Sequence, residues 1–306
     1  MKTLVTGSEG LLGTAIKKFS GENFCFAKRD DADLRDFEQT SKLFAHVKPK
    51  RVIHLAAKVG GVEANTNYPG TFFYENMSVN MNVLKNAQLF GVEKLVSFIS
   101  TCVFPNESQY PLSSENLQDG EPHQSNNGYA YAKRMLEIQS RVFRKEFGCN
   151  FITLIPTNMY GPADNWSTSS GHVIPSLIHK TYLAKKYEEP LTVWGTGLPL
   201  REFIFSEDVA KLTLWAIESY ESSQPLILSN SIETSIKELV ETITRRMCFE
   251  GDILWDASKP EGQFRKPSNS QPLKELLPNF NFTSLEKGLG TTIEWFQQNY
   301  DNLIRK

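Results

Sequence analysis

The chain has 306 residues, 40% of them hydrophobic and 22% charged, with a formal net charge of −2. That length suggests roughly two domains of about 150 residues each, and that composition supports a buried core rather than disorder. A near-neutral balance without a basic block argues against a nucleic-acid surface; the scattered Cys25, Cys102, Cys149 and Cys248 form no CxxC pair, so neither a zinc site nor a disulfide framework is indicated.

The N-terminus, MKTLVTGSEG, runs directly into a strand and a turn, which leaves no room for a signal peptide. No apolar run reaches the ~18 residues of a membrane span, so a cytoplasmic protein without a membrane partner is expected. Thr3–Thr6 reads as a strand, Leu11–Phe19 as a helix, Phe24–Ala27 as a strand and Phe37–Val47 as a helix. A strand over Arg51–Ala57, a long helix over Phe72–Phe90 and a strand over Lys94–Phe104 follow. Continuous apolar strands separated by helices predict an α/β fold: a Rossmann-type doubly wound parallel sheet covered on both faces. The polar segment PNESQYPLSSENLQDGEPHQSNNG has no period and reads as a long loop, of the kind that walls a site. A helix is expected over Tyr129–Phe147 and a strand over Phe151–Pro156.

Beyond Tyr160 the pattern changes. Asn158–Pro162 reads as a turn. Helices are expected over Val173–Lys185, Ser206–Ser219, Ile236–Met247 and Thr283–Ile304, with short strands at Leu191–Trp194, Phe203–Phe205 and Leu226–Ser229. The expected division is a dinucleotide-binding domain over residues 1–160 and a smaller mixed α/β, mainly substrate-binding domain over 161–306. Some strands of the second part can complete the first sheet.

Thr6–Gly13, TGSEGLLG, places Gly7, Gly10 and Gly13 between a strand and a helix. Such glycines permit a tight turn, close approach of backbone to a pyrophosphate and close helix–sheet packing, with the pyrophosphate on the helix N-terminus. The second strand ends Ala27-Lys28-Arg29. A carboxylate there holds the ribose 2′-hydroxyl of NAD and repels a 2′-phosphate. Lys28 and Arg29 supply positive charge instead, which favours NADP(H), although Asp30 and Asp31 next door keep NAD open. Asp33 and Leu34 are expected against the adenine end.

Tyr129 and Lys133, in YAYAK, are four residues apart at a helix start and share one face. A lysine cation ~4 Å from a phenol is worth up to ~4 kcal/mol at an effective dielectric near 20, which would draw the tyrosine toward neutral pH as a usable acid. Ser100, at the end of the fourth apolar run, joins them. TGSEGLLG, STC and YAYAK together resemble the extended short-chain dehydrogenase/reductase superfamily. The resemblance implies that Ser100 and Tyr129 hydrogen-bond a substrate oxygen and that Lys133 also contacts the nicotinamide ribose.

Further blocks narrow the match: HLAAKVGGVEAN (54–65), STCVFP (100–105), GYAYAKRMLE (128–137), PTNMYGPADN (156–165), GHVIPSLIHK (171–180), VWGTGLPLREFIF (193–205) and KPEGQFRK (259–266). Over nearly the whole chain and in the same order, this set resembles the GDP-L-fucose synthase family, the GDP-4-keto-6-deoxy-D-mannose 3,5-epimerase/4-reductases. The resemblance implies NADPH as cofactor, GDP-4-keto-6-deoxy-D-mannose as substrate, and Cys102 and His172 as the proton-exchanging pair. A C4 ketone acidifies the hydrogens on C3 and C5, and a thiol (~8.5) and an imidazole (~6.5) both exchange protons near neutral pH. By itself Cys102, at a strand end, reads as a small apolar filler; Ser100 two residues earlier on the same face of the expected strand, together with the wider pattern, turns the reading to catalysis.

By the same resemblance Asn158 lies near the sugar, and Lys180, Trp194, Arg201 and Lys266 line the GDP site, where an aromatic ring stacks and cations neutralise pyrophosphate. Each is also readable as packing or surface. The chain departs from the family at Glu9, where some members carry arginine. A homodimer through the Phe72–Phe90 and Tyr129–Phe147 helices is the superfamily's expectation. The alternatives are another nucleotide-sugar epimerase or dehydratase on the same scaffold, or a non-catalytic NADP-binding sensor.

Overall fold

The computed structural model describes residues 1–168, 171–259 and 262–304. Strand β1 (Thr3–Thr6), helix α1 (Leu11–Phe19), β2 (Phe24–Phe26), α2 (Phe37–Val47), β3 (Arg51–His54), α3 (Val62–Asn67), α4 (Pro69–Leu89) and β4 (Lys94–Phe98) open the chain. Next come α5 (Asn127–Phe147), β5 (Asn150–Pro156), β6 (Asn158–Tyr160), α6 (Val173–Tyr187), β7 (Leu191–Trp194) and β8 (Leu200–Phe205). The remainder is α7 (Ser206–Ser219), β9 (Leu226–Leu228), β10 (Glu233–Ser235), α8 (Ile236–Arg246), β11 (Ile253–Asp256), α9 (Gln271–Leu276) and α10 (Leu285–Ile304).

Six strands form a parallel sheet in the order β2-β1-β3-β4-β5-β9. Side chains alternate across a strand, so each central strand feeds two cores. Leu4, Val52, Leu95 and Phe151 pack on one face with Leu84 of α4 and Leu136 of α5. Val5, Ile53, Val96 and Ile152 pack on the other with Ile16 of α1 and Val209 and Ile217 of α7. This is the two-sided burial that makes the strand sequences apolar at every position.

The second half of the chain re-enters this sheet. β9 pairs in parallel with the end of β5, Leu154 opposite Leu226, and α9 lays Leu273 into the same core as α7. A separate cluster, with Trp166, Ile178, Val193, Phe203, Leu239 and Phe296, holds α6, α8 and α10 together. It is crossed by a three-stranded sheet, β10-β8-β6, and a parallel pair, β11-β7.

Two local expectations change and a third, the long loop, is borne out. β4 stops at Phe98 rather than Phe104: Val103 N–H donates to the Ser100 carbonyl at 3.1 Å, so Thr101–Val103 is one turn of 3₁₀ helix. Asn158–Tyr160 is a strand rather than a turn, because β8 pairs with it, Asn158 opposite Phe203. The long loop is ordered by remote partners. Arg134 of α5 donates to the Val103 carbonyl at 2.6 Å and the Gly120 carbonyl at 2.7 Å, and Leu112 exchanges backbone hydrogen bonds with Pro267 and Asn269.

Candidate active site

Ligands of open α/β sheets bind beyond the carboxyl ends of the strands, where the strand order reverses. Here the reversal falls between β1 and β3, and the glycine turn, Ser100 and Asn158 follow β1, β4 and β5 on that edge.

Gly7 has φ +68°, and a Cβ on it would lie 2.6 Å from the Ala56 nitrogen. A Cβ on Gly13 would lie 2.7 Å from the Gly7 carbonyl oxygen and from Ser8 backbone carbons. Both glycines are therefore required by the fold itself. Gly10, the N-cap of α1, is different: a Cβ there would meet only the Gly7 oxygen, at 3.6 Å. The space over the α1 N-terminus is open, and no acidic residue stands in its first turn.

That cradle fits a pyrophosphate. Beyond β2, Lys28 and Arg29 are exposed. Two of the three neighbouring aspartates are engaged. Asp31 Oδ2 accepts the Lys28 N–H at 2.7 Å, and Asp33 is paired with Arg35 through Nε at 2.9 Å and Nη2 at 2.7 Å. The Arg35 hydrogen bonds hold the Asp33 carboxyl down at about 2. Two exposed cations at the end of β2, with Asp33 already paired to Arg35, suit a 2′-phosphate better than a bare ribose. Leu34 packs against the core, and its carbonyl accepts from Asn82 at 3.0 Å.

At the end of β4, Ser100 caps the 3₁₀ turn with a long contact, 3.5 Å from the Cys102 N–H to its Oγ. Cys102 is thus brought beside Ser100 by the turn, not by strand alternation. Its thiol is half-buried and packs on the edge of the first core, and burial pushes it above the ordinary thiol range. The Ser100 hydrogen bond and the positive charges of Lys266 and Lys133 oppose that rise. Lys266 in turn feels both Cys102 and Arg201, and its own burial holds it below the usual lysine range. Arg201 Nη1 donates to the Leu200 carbonyl at 2.7 Å.

Tyr129 and Lys133 stand one turn apart on α5, the ammonium 5.8 Å from the phenol ring centroid. The ammonium does not act mainly on the phenol. It donates to the Phe98 carbonyl at 2.9 Å. Burial pushes Tyr129 above its ordinary range, with Cys102 adding to the rise, and holds Lys133 down at about 8. The expected lysine-driven lowering of Tyr129 is absent because desolvation outweighs a cation aimed at a carbonyl. The result is a fully protonated phenol beside Cys102, a proton donor.

His172 lies elsewhere in sequence, at the N-cap of α6. Its Nδ1 is 3.3 Å from Asp164 Oδ1, and this contact raises the imidazole above its ordinary value. Lys180, two turns along α6, holds its ammonium 4.8 Å over the ring of Trp194, and Lys259 sits over the same ring at 5.6 Å. Asn158 Nδ2 donates to the Glu202 carbonyl at 2.8 Å. Sequence reasoning missed Asp164, Lys259 and Arg134. Each stood inside a quoted or adjacent block, but nothing local marks a turn aspartate, a loop lysine or a helix arginine as part of a site.

The sequence pattern of the NAD dependent epimerase/dehydratase family matches residues 3–228. A GDP-L-fucose synthase of Dictyostelium discoideum is 45% identical, covering 97% of this chain and 96% of that protein. The GDP-L-fucose synthase of Escherichia coli is 32% identical over 98% of each chain. The crystal structure of a GDP-L-fucose synthetase from Naegleria fowleri bound to NADP superposes with a TM-score of 0.92 at 38% identity, covering 98% of this chain and 94% of that one.

Proposed function

As the chain belongs to the NAD dependent epimerase/dehydratase family, among its GDP-L-fucose synthases, we propose that it converts GDP-4-keto-6-deoxy-D-mannose to GDP-L-fucose with NADPH. The observation that carries this reading is Cys102 set beside Ser100 by the turn after β4, with Lys133 of α5 bonded to the last β4 carbonyl, Phe98, and Tyr129 one turn away from that lysine. A simple reductase needs the serine, tyrosine and lysine but has no use for a thiol among them.

Lys28 and Arg29 would hold the 2′-phosphate, and the loop through Gly7, Gly10 and Gly13 the pyrophosphate. Asp33 and Leu34 would border the adenine. When bound, NADPH supplies a hydride for C4 of the sugar. Ser100 and Tyr129 donate hydrogen bonds to the C4 oxygen and so stabilise negative charge there, both in the enolate of epimerisation and in the alkoxide of reduction. Cys102 and His172 exchange the C3 and C5 protons, one abstracting and the other returning a proton on the opposite face. Tyr129 then gives its proton to the C4 oxygen. Lys133, bonded to the Phe98 carbonyl, keeps positive charge in the same site.

Asn158 would face the hexose, while Lys180, Trp194, Arg201 and Lys266 would take the GDP moiety. The exposed Phe73 and Met81 of α4 and Val142 and Phe147 of α5 would pair two copies, since α4 and α5 already pack on each other. A cytoplasmic enzyme is the matching location; among the described residues no helix is long and apolar enough to cross a membrane.

The test is incubation with GDP-4-keto-6-deoxymannose and NADPH in heavy water. Deuterium at C3 and C5 together with NADPH oxidation is the expected result. Oxidation without exchange would leave a simple 4-reductase. Cofactor binding with neither would leave the sensor alternative.

A further inference from the structure

His172 is the one proposed proton carrier whose side chain is largely in solvent, 52% exposed. An imidazole at a helix N-cap meets the positive end of the helix dipole, which disfavours its charged form, and α6 has no acidic residue in its first turn. Left alone, such a ring would be free to rotate and would lose its proton easily.

The segment before it is shaped to prevent this. Ala163 adopts a left-handed φ of +64°, a conformation unfavourable for a non-glycine residue that persists only where surroundings enforce it. The next residue, Asp164, has a side chain only 4% exposed. Its Oδ1 accepts the Asn165 N–H at 2.7 Å and faces His172 Nδ1 at 3.3 Å, while Oδ2 is buried and has no partner among the described residues. The Gly171 N–H reaches back to the Ser167 carbonyl at 3.0 Å, and a Cβ at Gly171 would lie 2.5 Å from the Asn165 and Ser167 carbonyl oxygens. This tight return brings residue 172 onto residue 164.

We propose that Asp164 is the positioning residue of His172: its buried carboxylate accepts the Nδ1 proton, fixes the tautomer and leaves Nε2 as the nitrogen that exchanges protons with the sugar. An under-coordinated carboxylate beside a partly exposed ring has a single task available to it. The Nδ1 proton stays within the pair throughout. One proton leaves Nε2 for carbon, or arrives from it, and solvent restores the ring. Among the described residues Asp164 is the one charged side chain acting on this imidazole, opposed only by the α6 N-terminus. The consequence for exchange rests on the epimerase reading above; the pair itself does not.

The experiment uses the full chain. Nitrogen NMR of wild-type protein, taken above the His172 titration, should show the neutral ring with its proton on Nδ1; a neutral ring carrying its proton on Nε2 would overturn the proposal without any variant. In Asp164→Asn the His172 titration should move to lower pH, and deuterium exchange into the sugar at pH 7 should fall about tenfold or more, with its pH limb displaced by the same amount. NADPH affinity should not change. An unshifted titration in a folded Asp164→Asn protein refutes the pairing. If wild-type protein exchanges no deuterium with the GDP sugar, the epimerase reading fails while the titration still decides the pair.

Discussion

Gly10 and Gly13 separate by function, and alanine at each should show it. A methyl at position 10 has ordinary contact distance to its nearest neighbour, 3.6 Å, and the backbone there, φ −78° and ψ 178°, is open to any residue. Alanine is a poorer N-cap than glycine by up to about 1 kcal/mol, while the loss of unfolded-state freedom returns about 0.4–1 kcal/mol. Gly10→Ala should therefore leave stability within about 1 kcal/mol. At position 13 the methyl would sit 2.7 Å from three backbone atoms, none able to rotate away. Overpacking of this kind costs about 1–3 kcal/mol. The order reverses for the cofactor. A methyl between the loop amides and a phosphate removes a charge-assisted hydrogen bond worth about 1.5–3 kcal/mol, or roughly 10- to 100-fold in Kd. Thermal melts and NADPH titrations of Gly10→Ala and Gly13→Ala should show a stable weak binder and a destabilised protein, respectively. Wild-type NADPH affinity in Gly10→Ala would refute the assignment of the open cradle to the pyrophosphate.

Tyr129→Phe should retain NADPH binding and lose turnover by about 10²- to 10⁴-fold, as expected on removing a general acid; stopped-flow NADPH oxidation measures it, and normal turnover removes the phenol from the mechanism. Cys102→Ser should cut deuterium entry into the sugar by at least about 10²-fold, read by mass spectrometry; undiminished exchange would return the thiol to packing. His54, buried between Thr6 Oγ1 at 2.8 Å and Asn80 Oδ1 at 3.1 Å, is held neutral by burial, its pKa lowered from 6.5 to about 3. Between those values the unfolded chain takes up a proton that the folded chain refuses, so stability falls as pH drops through that window, by up to about 5 kcal/mol in all. His54→Gln should be less stable than wild type at neutral pH, and denaturant melts should show that gap closing as pH falls from 6.5 to 4; a constant gap would contradict the buried neutral ring.

The sequence by itself determined the doubly wound sheet, because burial on both faces demands apolar residues at every strand position, and that pattern is visible residue by residue. It also marked the glycine loop, Ser100, Cys102, Tyr129, Lys133 and His172, whose chemical types are unusual enough in order to carry a family resemblance. What it did not determine were features made by partners far along the chain. β6, β10 and β11 are three or four residues long, too short for a period, and exist because a remote strand pairs with them. The turn at Thr101–Val103 followed an apolar run that reads as more strand; a backbone hydrogen bond to Ser100 ended it. Only folding aimed the Lys133 ammonium at Phe98, brought Lys266 into electrostatic range of Cys102, and set a buried aspartate against His172. Strand and helix types follow from local periodicity and burial, whereas ionisation states follow from which distant groups share a desolvated volume, and no stretch of sequence carries that alone.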